Sequence, residues 1–205
     1  MSDPLVRARH LKTVLAALDR QPRRRELRAR IGPKLAASIE ESTGIDWLPV
    51  QHDVAMARAL DAVLGPAGLA AFNREMMQQS LRGPLLRGML ELATRLIGLD
   101  PGAWASWIPR GWLLMFKGLG RWTVVRRGER EVVLTLDHLP PACAADAVWP
   151  RSVASSLAGI LPAVGAAGTV ELEQVDPASG TLVYVMRWQA GSSAGATAPP
   201  PGGVT

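Results

Sequence analysis

Apolar residues alternate with polar ones in two stretches near the end of the chain, 131–137 and 181–188. A period of two is typical of a strand with one buried face. Each stretch follows a partner of similar character, 122–127 and 169–175, across a short polar turn. The sequence therefore predicts two β-hairpins. The residues on their apolar faces are Val132, Leu134, Leu136, Val170, Leu172, Leu182, Tyr184, Met186 and Trp188.

A helix is predicted between the two hairpins. Apolar residues recur there at steps of three and four, which places them on one side of a helix. Pro150 suits a first helical turn and Gly165 suits a stop. The order β-β-α-β-β predicts a four-stranded antiparallel sheet with a helix in its connection. The apolar residues of that helix are Val153, Leu157, Ile160, Leu161 and Val164.

The chain before residue 118 has helical rather than strand periodicity. Its amphipathic segments predict about six helices. Gly-Pro pairs at 32–33, 65–66 and 83–84 interrupt the pattern, and each should break or kink a helix. The most regular apolar period follows the pair at 83–84. The segment 45–49 is predicted to be a short apolar linker.

These elements predict an α+β fold and a single domain over residues 1–190. Its parts are a helical lobe over 5–118 and the ββ-α-ββ unit over 121–189. The segment 191–205 is rich in Gly, Pro, Ser and Ala and has few bulky residues. A segment of this composition cannot bury enough apolar surface to fold, so we predict a disordered tail.

Composition and charge narrow the class of protein. The chain has 205 residues and one cysteine, Cys143, which excludes a disulfide framework and a cysteine-based zinc site. The N-terminus lacks the apolar core of a signal peptide, and we expect a soluble, cytoplasmic protein.

The net charge of +5 is concentrated in the first 40 residues. Residues 7–34 are therefore a candidate surface for nucleic acid or anionic membranes, but a solvated arginine-rich helix face is the favoured interpretation.

Residue patterns that signal catalysis or metal binding are absent from the sequence. There is no nucleophile elbow, phosphate loop or His-Glu-x-x-His motif. His10 lies in an arginine-rich helix and is predicted to be at the surface. His52 and His138 each have an acidic neighbour in the chain, Asp53 and Asp137, which we interpret as casual pairs. The chain is therefore predicted not to be an enzyme.

Tryptophan and methionine are concentrated just before the first hairpin. Aromatic and thioether side chains form adaptable walls for apolar ligands, but they also form ordinary cores. A broken helix rich in tryptophan packs irregularly, and cavities form where packing is irregular. We therefore take this cluster as the candidate ligand-binding site. Its residues are Trp104, Trp107, Trp112, Met115 and Phe116.

The order of elements and three segments carry a resemblance to a known superfamily. The segments are Ile45-Asp-Trp-Leu-Pro49, the apolar helix after Gly83-Pro84, and the closing stretch Gly180-Thr-Leu-Val-Tyr-Val-Met-Arg-Trp188. Over roughly residues 5–189 the chain resembles haem nitric-oxide/oxygen-binding (H-NOX) domains, vinyl-reductase-type sensor domains and TRAPP subunits. Within that superfamily it is most similar to short stand-alone myxobacterial proteins of unknown function.

The resemblance implies a pocket between the helical lobe and the sheet. Haem binders of this superfamily have an axial histidine on the helix that leads into the sheet and, after that histidine, a Tyr-x-Ser-x-Arg signature that holds the propionates. Residues 84–120 contain no histidine, and the first hairpin has Trp122-Thr-Val-Val-Arg126 instead. The branch that attaches an acyl chain does so on a first-helix cysteine, which this chain lacks. We therefore expect neither haem nor a covalent lipid, and no other cofactor.

Two functions remain open at this point. The first is a non-enzymatic sensor that holds a non-covalent apolar small molecule or lipid and signals to a partner protein. Its pocket would be lined by the segment 104–116 and by the inner face of the sheet. The alternative is a structural or interaction protein with a filled core that dimerises through a helix face.

Overall fold

The computed structural model describes residues 3–83, 88, 91–92 and 100–189. The predicted tail and most of the predicted helix after Gly83-Pro84 lie outside the described residues. Over the described part of the chain, a helical lobe precedes a ββ-α-ββ unit, which confirms the predicted α+β fold. The helices are α1 (Ala8–Leu18), α2 (Arg24–Ile31), α3 (Pro33–Glu41), α4 (Gln51–Arg82), α5 (Pro101–Ala105), α6 (Ile108–Met115), α7 (Pro141–Ala144), α8 (Trp149–Ala158) and α9 (Ile160–Ala163).

Two of the predicted helix breaks fall at glycines with positive φ. Gly32 has φ of 83° and separates α2 from α3, whose first residue is Pro33. Gly65 has φ of 73° and interrupts α4 just before Pro66. Glycine adopts this backbone region without the steric cost that a Cβ brings, and the proline that follows suits a first turn. Helix α4 therefore consists of two helical segments joined at Gly65.

A small three-stranded sheet, which the sequence did not predict, closes the base of the helical lobe. Its strands are β1 (Leu5–Arg7), β2 (Trp47–Pro49) and β3 (Phe116–Lys117), in the order β2-β1-β3. The prediction of a linker at 45–49 was therefore wrong for its last three residues. Strands of two or three residues are too short to show a period. Strand β3 fixes the end of α6 against the start of α1.

The two predicted hairpins form a four-stranded antiparallel sheet. Val132, Leu134 and Leu136 on one central strand are fully buried, as are Leu182 and Tyr184 on the other. The predicted apolar faces are therefore correct at these positions. The strands are β4 (Arg121–Gly128), β5 (Glu131–Asp137), β6 (Gly168–Asp176) and β7 (Thr181–Trp188), in the order β4-β5-β7-β6.

Helix α8 packs against α4 on one side and against β6 and β7 on the other. Asp146 fixes its start, because Oδ1 accepts hydrogen bonds from the backbone amides of Val148 and Trp149 at 2.9 and 2.7 Å. The same carboxylate is buried and pairs with Arg58 of α4. The Tyr184 hydroxyl donates to the Pro150 carbonyl at 3.2 Å, so the sheet is also bonded to α8.

Helix α4 is long and apolar enough to cross a membrane by length and composition alone, and it is the one such helix in the described part of the chain. The central helix of a soluble protein has the same properties. Here the helix is broken at Gly65 and packs against α1, α2, α8 and α9. Its buried side chains include most of its large apolar ones, so we describe it as a core helix; they are Val54, Met56, Leu60, Val63, Leu69, Phe72, Met76 and Leu81.

The contact between α4 and the end of α8 depends on the absence of a side chain at Gly159. A Cβ there would lie 2.6 Å from the Arg74 carbonyl oxygen and 2.8 Å from Cβ of Met77. We predict that Gly159→Ala lowers the free energy of unfolding by about 1–3 kcal/mol, because the two helices must separate. Urea denaturation followed by circular dichroism would measure this change.

The matched control for that substitution is Gly128→Ala. Gly128 is exposed on β4, and a Cβ there would have no neighbour within 4 Å. A surface change of this kind should shift the free energy of unfolding by no more than about 0.5 kcal/mol. Equal effects of the two substitutions would contradict the close approach of α8 to α4.

Candidate functional site

A partly open cavity of about 110 Å³ lies within the helical part of the molecule. Protein interiors are close-packed, and voids larger than a water molecule are few in a domain. A single water needs only about 10–15 Å³ by a comparable measure. An engineered apolar cavity of roughly 150 Å³ is large enough to bind benzene. The cavity is therefore of a size for a small organic molecule.

The wall of the cavity is mainly apolar and comes from several elements. Helix α1 contributes its first half, α4 both segments on either side of Gly65, and α8 one complete face. The segment from α5 to β3 forms the remaining described side. The described apolar lining residues are Val14, Met56, Ala57, Leu60, Met76, Met77, Leu81, Trp104, Trp107, Ile108, Gly111, Trp112, Met115, Phe116, Trp149, Val153, Leu157 and Ile160.

All five residues of the predicted site lie on this wall. Asp100 caps the start of α5, where its Oδ2 accepts a hydrogen bond from the Ala103 amide at 2.8 Å. That helix positions Trp104, and α6 positions Trp112, whose Nε1 donates to the Leu119 carbonyl at 2.7 Å. The ring of Trp112 also contacts Phe116, with centroids 4.1 Å apart. The structure thus brings the cluster together, while its role in binding a ligand stays a prediction.

The inner face of the four-stranded sheet does not line the cavity, and this part of the prediction was wrong. Residues 121–137 and 168–188 are all described, and none of them is on the wall. Helix α8 lies between the sheet and the cavity, so two opposite faces of this helix are covered. Leu157 and Ser156 face the cavity, whereas the sheet covers the other side of the helix. Sequence periodicity showed only one apolar face for this helix.

One part of the cavity wall is polar and contains a carboxylate. Asp53, in the first turn of α4, accepts a hydrogen bond on Oδ2 from Nε1 of Trp149 at 2.8 Å. Its Oδ1 lies 3.3 Å from Nε2 of His10, and both side chains are mostly buried. All three residues line the cavity. This His10–Asp53–Trp149 group joins α1, α4 and α8 at one place.

A second polar group is neutral and lies where α4 crosses α8. The amide nitrogen Nδ2 of buried Asn73 donates to the hydroxyl oxygens of Ser152 and Ser155, at 2.9 and 3.1 Å. Asn73, Ser80, Ser152 and Ser156 contribute to the cavity wall. The sequence indicated no role for these residues, because hydroxyl and amide groups on an amphipathic helix look like ordinary polar positions.

The histidines differ from their predicted roles in one case. His10 was predicted to be a surface residue, but it lies on the cavity wall and pairs with Asp53, 43 positions away. His52 instead bonds Ser38 at 3.2 Å, and burial lowers the pKa of its imidazole. His138 is exposed and lies 3.7 Å from Asp137. The interpretation of His52 and Asp53 as a casual pair agrees with this arrangement, in which Asp53 contacts the distant His10 and not its neighbour in the chain.

Cys143 is fully buried in the core beside this region and is not among the described residues that line the cavity. Burial raises the pKa of its thiol from 9.0 to about 12, with smaller contributions from the carboxylates of Asp53 and Asp146. The thiolate is the nucleophilic form of cysteine. The protonated thiol at neutral pH is therefore suited to packing rather than to covalent attachment of a ligand.

Several solved structures share this fold. A point mutant of the H-NOX protein from K. algicida, in its Fe(II) unliganded form, matches with a TM-score of 0.65 and 9% identity, covering 90% of this chain and 97% of that one. The H-NOX from Shewanella woodyi, bound to IWP-051 in the Fe(II)CO state, matches with a TM-score of 0.55 and 12% identity over 91% and 96%.

A trafficking protein particle complex subunit 3 from Naegleria fowleri, bound covalently to palmitic acid, has a TM-score of 0.41 and 12% identity over 88% and 96% of the two chains. That similarity is too low to support an argument. No protein-family model and no curated protein matches the sequence. The chain has the α+β fold of H-NOX domains, as its pattern of elements predicts, and at these identities the likeness concerns the fold alone.

The described cavity does not fit a haem. Its volume of about 110 Å³ is below the range of roughly 300–1,000 Å³ that holds drug-sized ligands, and a haem is larger than most of those. No lysine or arginine is among the described lining residues, so none there would pair with propionates. The one histidine of that lining, His10, is bonded to Asp53. The described residues also contain no group of three side chains suited to a metal ion.

We predict that Cys143 resists alkylation in the folded protein. Because its thiol is buried and its pKa is raised, labelling by iodoacetamide at pH 8 should be at least about tenfold slower than in urea-unfolded protein. Intact-protein mass spectrometry would follow the reaction. Equal rates in the two states would show that the thiol is accessible and contradict this description.

The same pKa shift has a consequence for stability. The folded-state pKa of Cys143 lies above the ordinary value, so the contribution of this thiol to the free energy of unfolding is complete below pH 9. That contribution falls as pH rises from 9 toward about 12, because the thiol ionises in the unfolded protein before it ionises in the folded one.

Proposed function

We propose that this protein is a non-enzymatic sensor or binding module that holds a small apolar molecule without a covalent bond and passes its occupancy to a partner protein. The observation that carries the proposal is the cavity of about 110 Å³ walled by tryptophan, methionine and leucine. Apolar space of this size is uncommon in a close-packed interior, and a binding role accounts for it.

The size of the cavity favours one kind of occupant over another. A molecule with a single aromatic ring suits a cavity of this volume, whereas a lipid acyl chain would need a longer cavity. Four tryptophans and a phenylalanine on the wall supply large, flat contact areas for a ring. The alternative function, an adaptor with a filled core, does not account for this space.

Helix α6 supports the second half of the proposal, the signal to a partner protein. Trp112 and Met115 line the cavity, whereas Leu113 and Leu114 are 68% and 38% exposed on the other side of the same helix. Exposed leucines next to each other are a common feature of protein contact surfaces. A ligand that contacts Trp112 would therefore contact the same helix that exposes these leucines to a partner protein.

We predict that filling the cavity removes ligand binding. Ala57→Leu adds three carbons at a position on the wall, so the new side chain should occupy space that is open in the native protein. Binding of fluorobenzene, measured by fluorine NMR line broadening, should weaken at least about tenfold. Native mass spectrometry of the freshly purified wild-type protein would report any small molecule that co-purifies.

The control for this experiment is Ala62→Leu, which lies on the same helix at an exposed position. It should bind fluorobenzene as the wild-type protein does. Both variants should keep the wild-type circular dichroism spectrum. A wild-type protein that carries no small molecule and does not bind fluorobenzene would refute the proposed function, and unchanged binding by folded Ala57→Leu would place the ligand elsewhere.

We also predict that an occupant slows hydrogen exchange in α6. Fluorobenzene should reduce exchange of the amides of 108–117 several-fold, because the ligand stabilises the helix that forms part of its wall. The central strands 131–137 and 181–188 do not line the cavity and should exchange at unchanged rates. Mass spectrometry of exchanged peptides would make this comparison. Equal protection of both regions would indicate global stabilisation and no selective effect on α6.

A further inference from the structure

We propose that the occupant of the cavity is a small organic cation, an apolar body with one ammonium group that pairs with the carboxylate of Asp53. This inference rests on the proposed function and names the chemical class of its ligand. It begins from the position of Asp53, which lines the cavity and has a side chain only 17% exposed.

The carboxylate of Asp53 has acceptor capacity that its described neighbours leave open. An ionised carboxylate offers about four lone-pair directions on its two oxygens. Nε1 of Trp149 takes one on Oδ2, and Nε2 of His10 takes one on Oδ1. The remaining directions can accept from a ligand, and an ammonium group has up to three donors to place there.

The charge of the cavity favours a cation. Asp53 and His10 are the titratable side chains of the described lining, which includes no lysine or arginine. With histidine counted as neutral, as in the net charge of +5, this lining carries a formal charge of −1. Within the described ranges, His10 is the side chain that forms an ion pair with Asp53 at 4.0 Å or less. A partly buried charge without a permanent counter-ion gains most from a ligand of opposite sign.

The aromatic wall adds to this preference. Cations are attracted to the faces of tryptophan and phenylalanine rings, and desolvation strengthens the attraction. Phe116 lies close to the carboxylate group, because its ring centroid is 5.8 Å from that of His10, which contacts Asp53. Trp149 meets Asp53 with its N–H edge, so its ring face is not turned to the carboxylate. An ammonium group at Asp53 would therefore lie near the ring of Phe116 while its apolar body extends along the methionine and leucine side chains.

The other polar residues of the wall do not favour an anion. The amide nitrogen of Asn73 already donates to Ser152 and Ser155, and the hydroxyl of Ser155 donates in turn to backbone carbonyls. Hydroxyl groups accept as well as donate, so they tolerate a cation or a neutral group. A carboxylate or phosphate ligand would find no cationic partner in the described lining and would be repelled by Asp53.

The test compares three probes with the same ring and different charge: 4-fluorobenzylamine, 4-fluorobenzyl alcohol and 4-fluorobenzoate. Their dissociation constants with the 205-residue protein at pH 7 would come from fluorine NMR titrations. The amine should bind at least about tenfold more tightly than the alcohol, and the benzoate should bind most weakly. The net charge of +5 would favour the benzoate, so a preference for the amine cannot come from the overall charge.

Two variants locate the effect. Asp53→Asn keeps the shape of the side chain and removes its charge, so the affinity for the amine should fall to that for the alcohol, which should not change. Asp61→Asn is the matched control, since Asp61 lies on the same helix outside the described lining and pairs with Arg151 at 3.9 Å. It should leave all three affinities unchanged. Circular dichroism would verify that both variants fold.

The outcomes separate this inference from the proposed function. Equal binding of amine and alcohol by the wild-type protein would overturn the inference and leave the proposed function standing. Unchanged preference for the amine in folded Asp53→Asn would also overturn it. Failure of all three probes and of fluorobenzene to bind would overturn both. If Asp53→Asn does not fold, the ranking of the three probes with the wild-type protein decides the question.

Discussion

The packing of helix α8 on both of its sides is the constraint on which the rest of the structure depends. On one side it covers the inner face of the four-stranded sheet, and on the other it meets α4. Buried polar contacts fix its position, with Asp146 at its start and the Trp149–Asp53 hydrogen bond toward α4. The space between α4 and α6 is bounded by a helix that is held from the sheet side and by these polar contacts, one of which, Trp149–Asp53, is itself on the cavity wall. The cavity therefore depends on the anchoring of α8.

The sequence predicts the ββ-α-ββ unit well because each of its elements is long enough to show a period. Val132 to Leu136 alternate over a full strand, and Gly180 marks the turn before the last one. The strands β1 to β3 have two or three residues each and show no period, so they were missed. The tryptophan cluster of the site was predicted from composition alone. The roles of His10 and of α8 could not be predicted, because each depends on partners far away in the chain.

The fold shared with H-NOX domains leaves the chemistry of the interior open. A shared arrangement of a helical lobe and a sheet does not by itself determine the size or the chemistry of the space inside, which depend on the side chains that face inward. In this chain, tryptophan side chains from the segment 104–116 line the cavity, and the polar part of the wall contains the carboxylate of Asp53. Under the proposed function, the identity of the residues that line the cavity, more than the order of the elements, would determine which ligands bind.

The break in α4 at Gly65 has a consequence for the shape of the cavity. Lining residues lie on both segments of the helix, from Asp53 to Leu60 before the break and from Asn73 to Leu81 after it. The width of the cavity therefore depends on the angle between two helical segments as well as on side-chain volume. That angle is set at a residue with φ of 73°, where glycine is favoured. A change in the angle at this one backbone joint would therefore widen or narrow the cavity while every lining residue is retained.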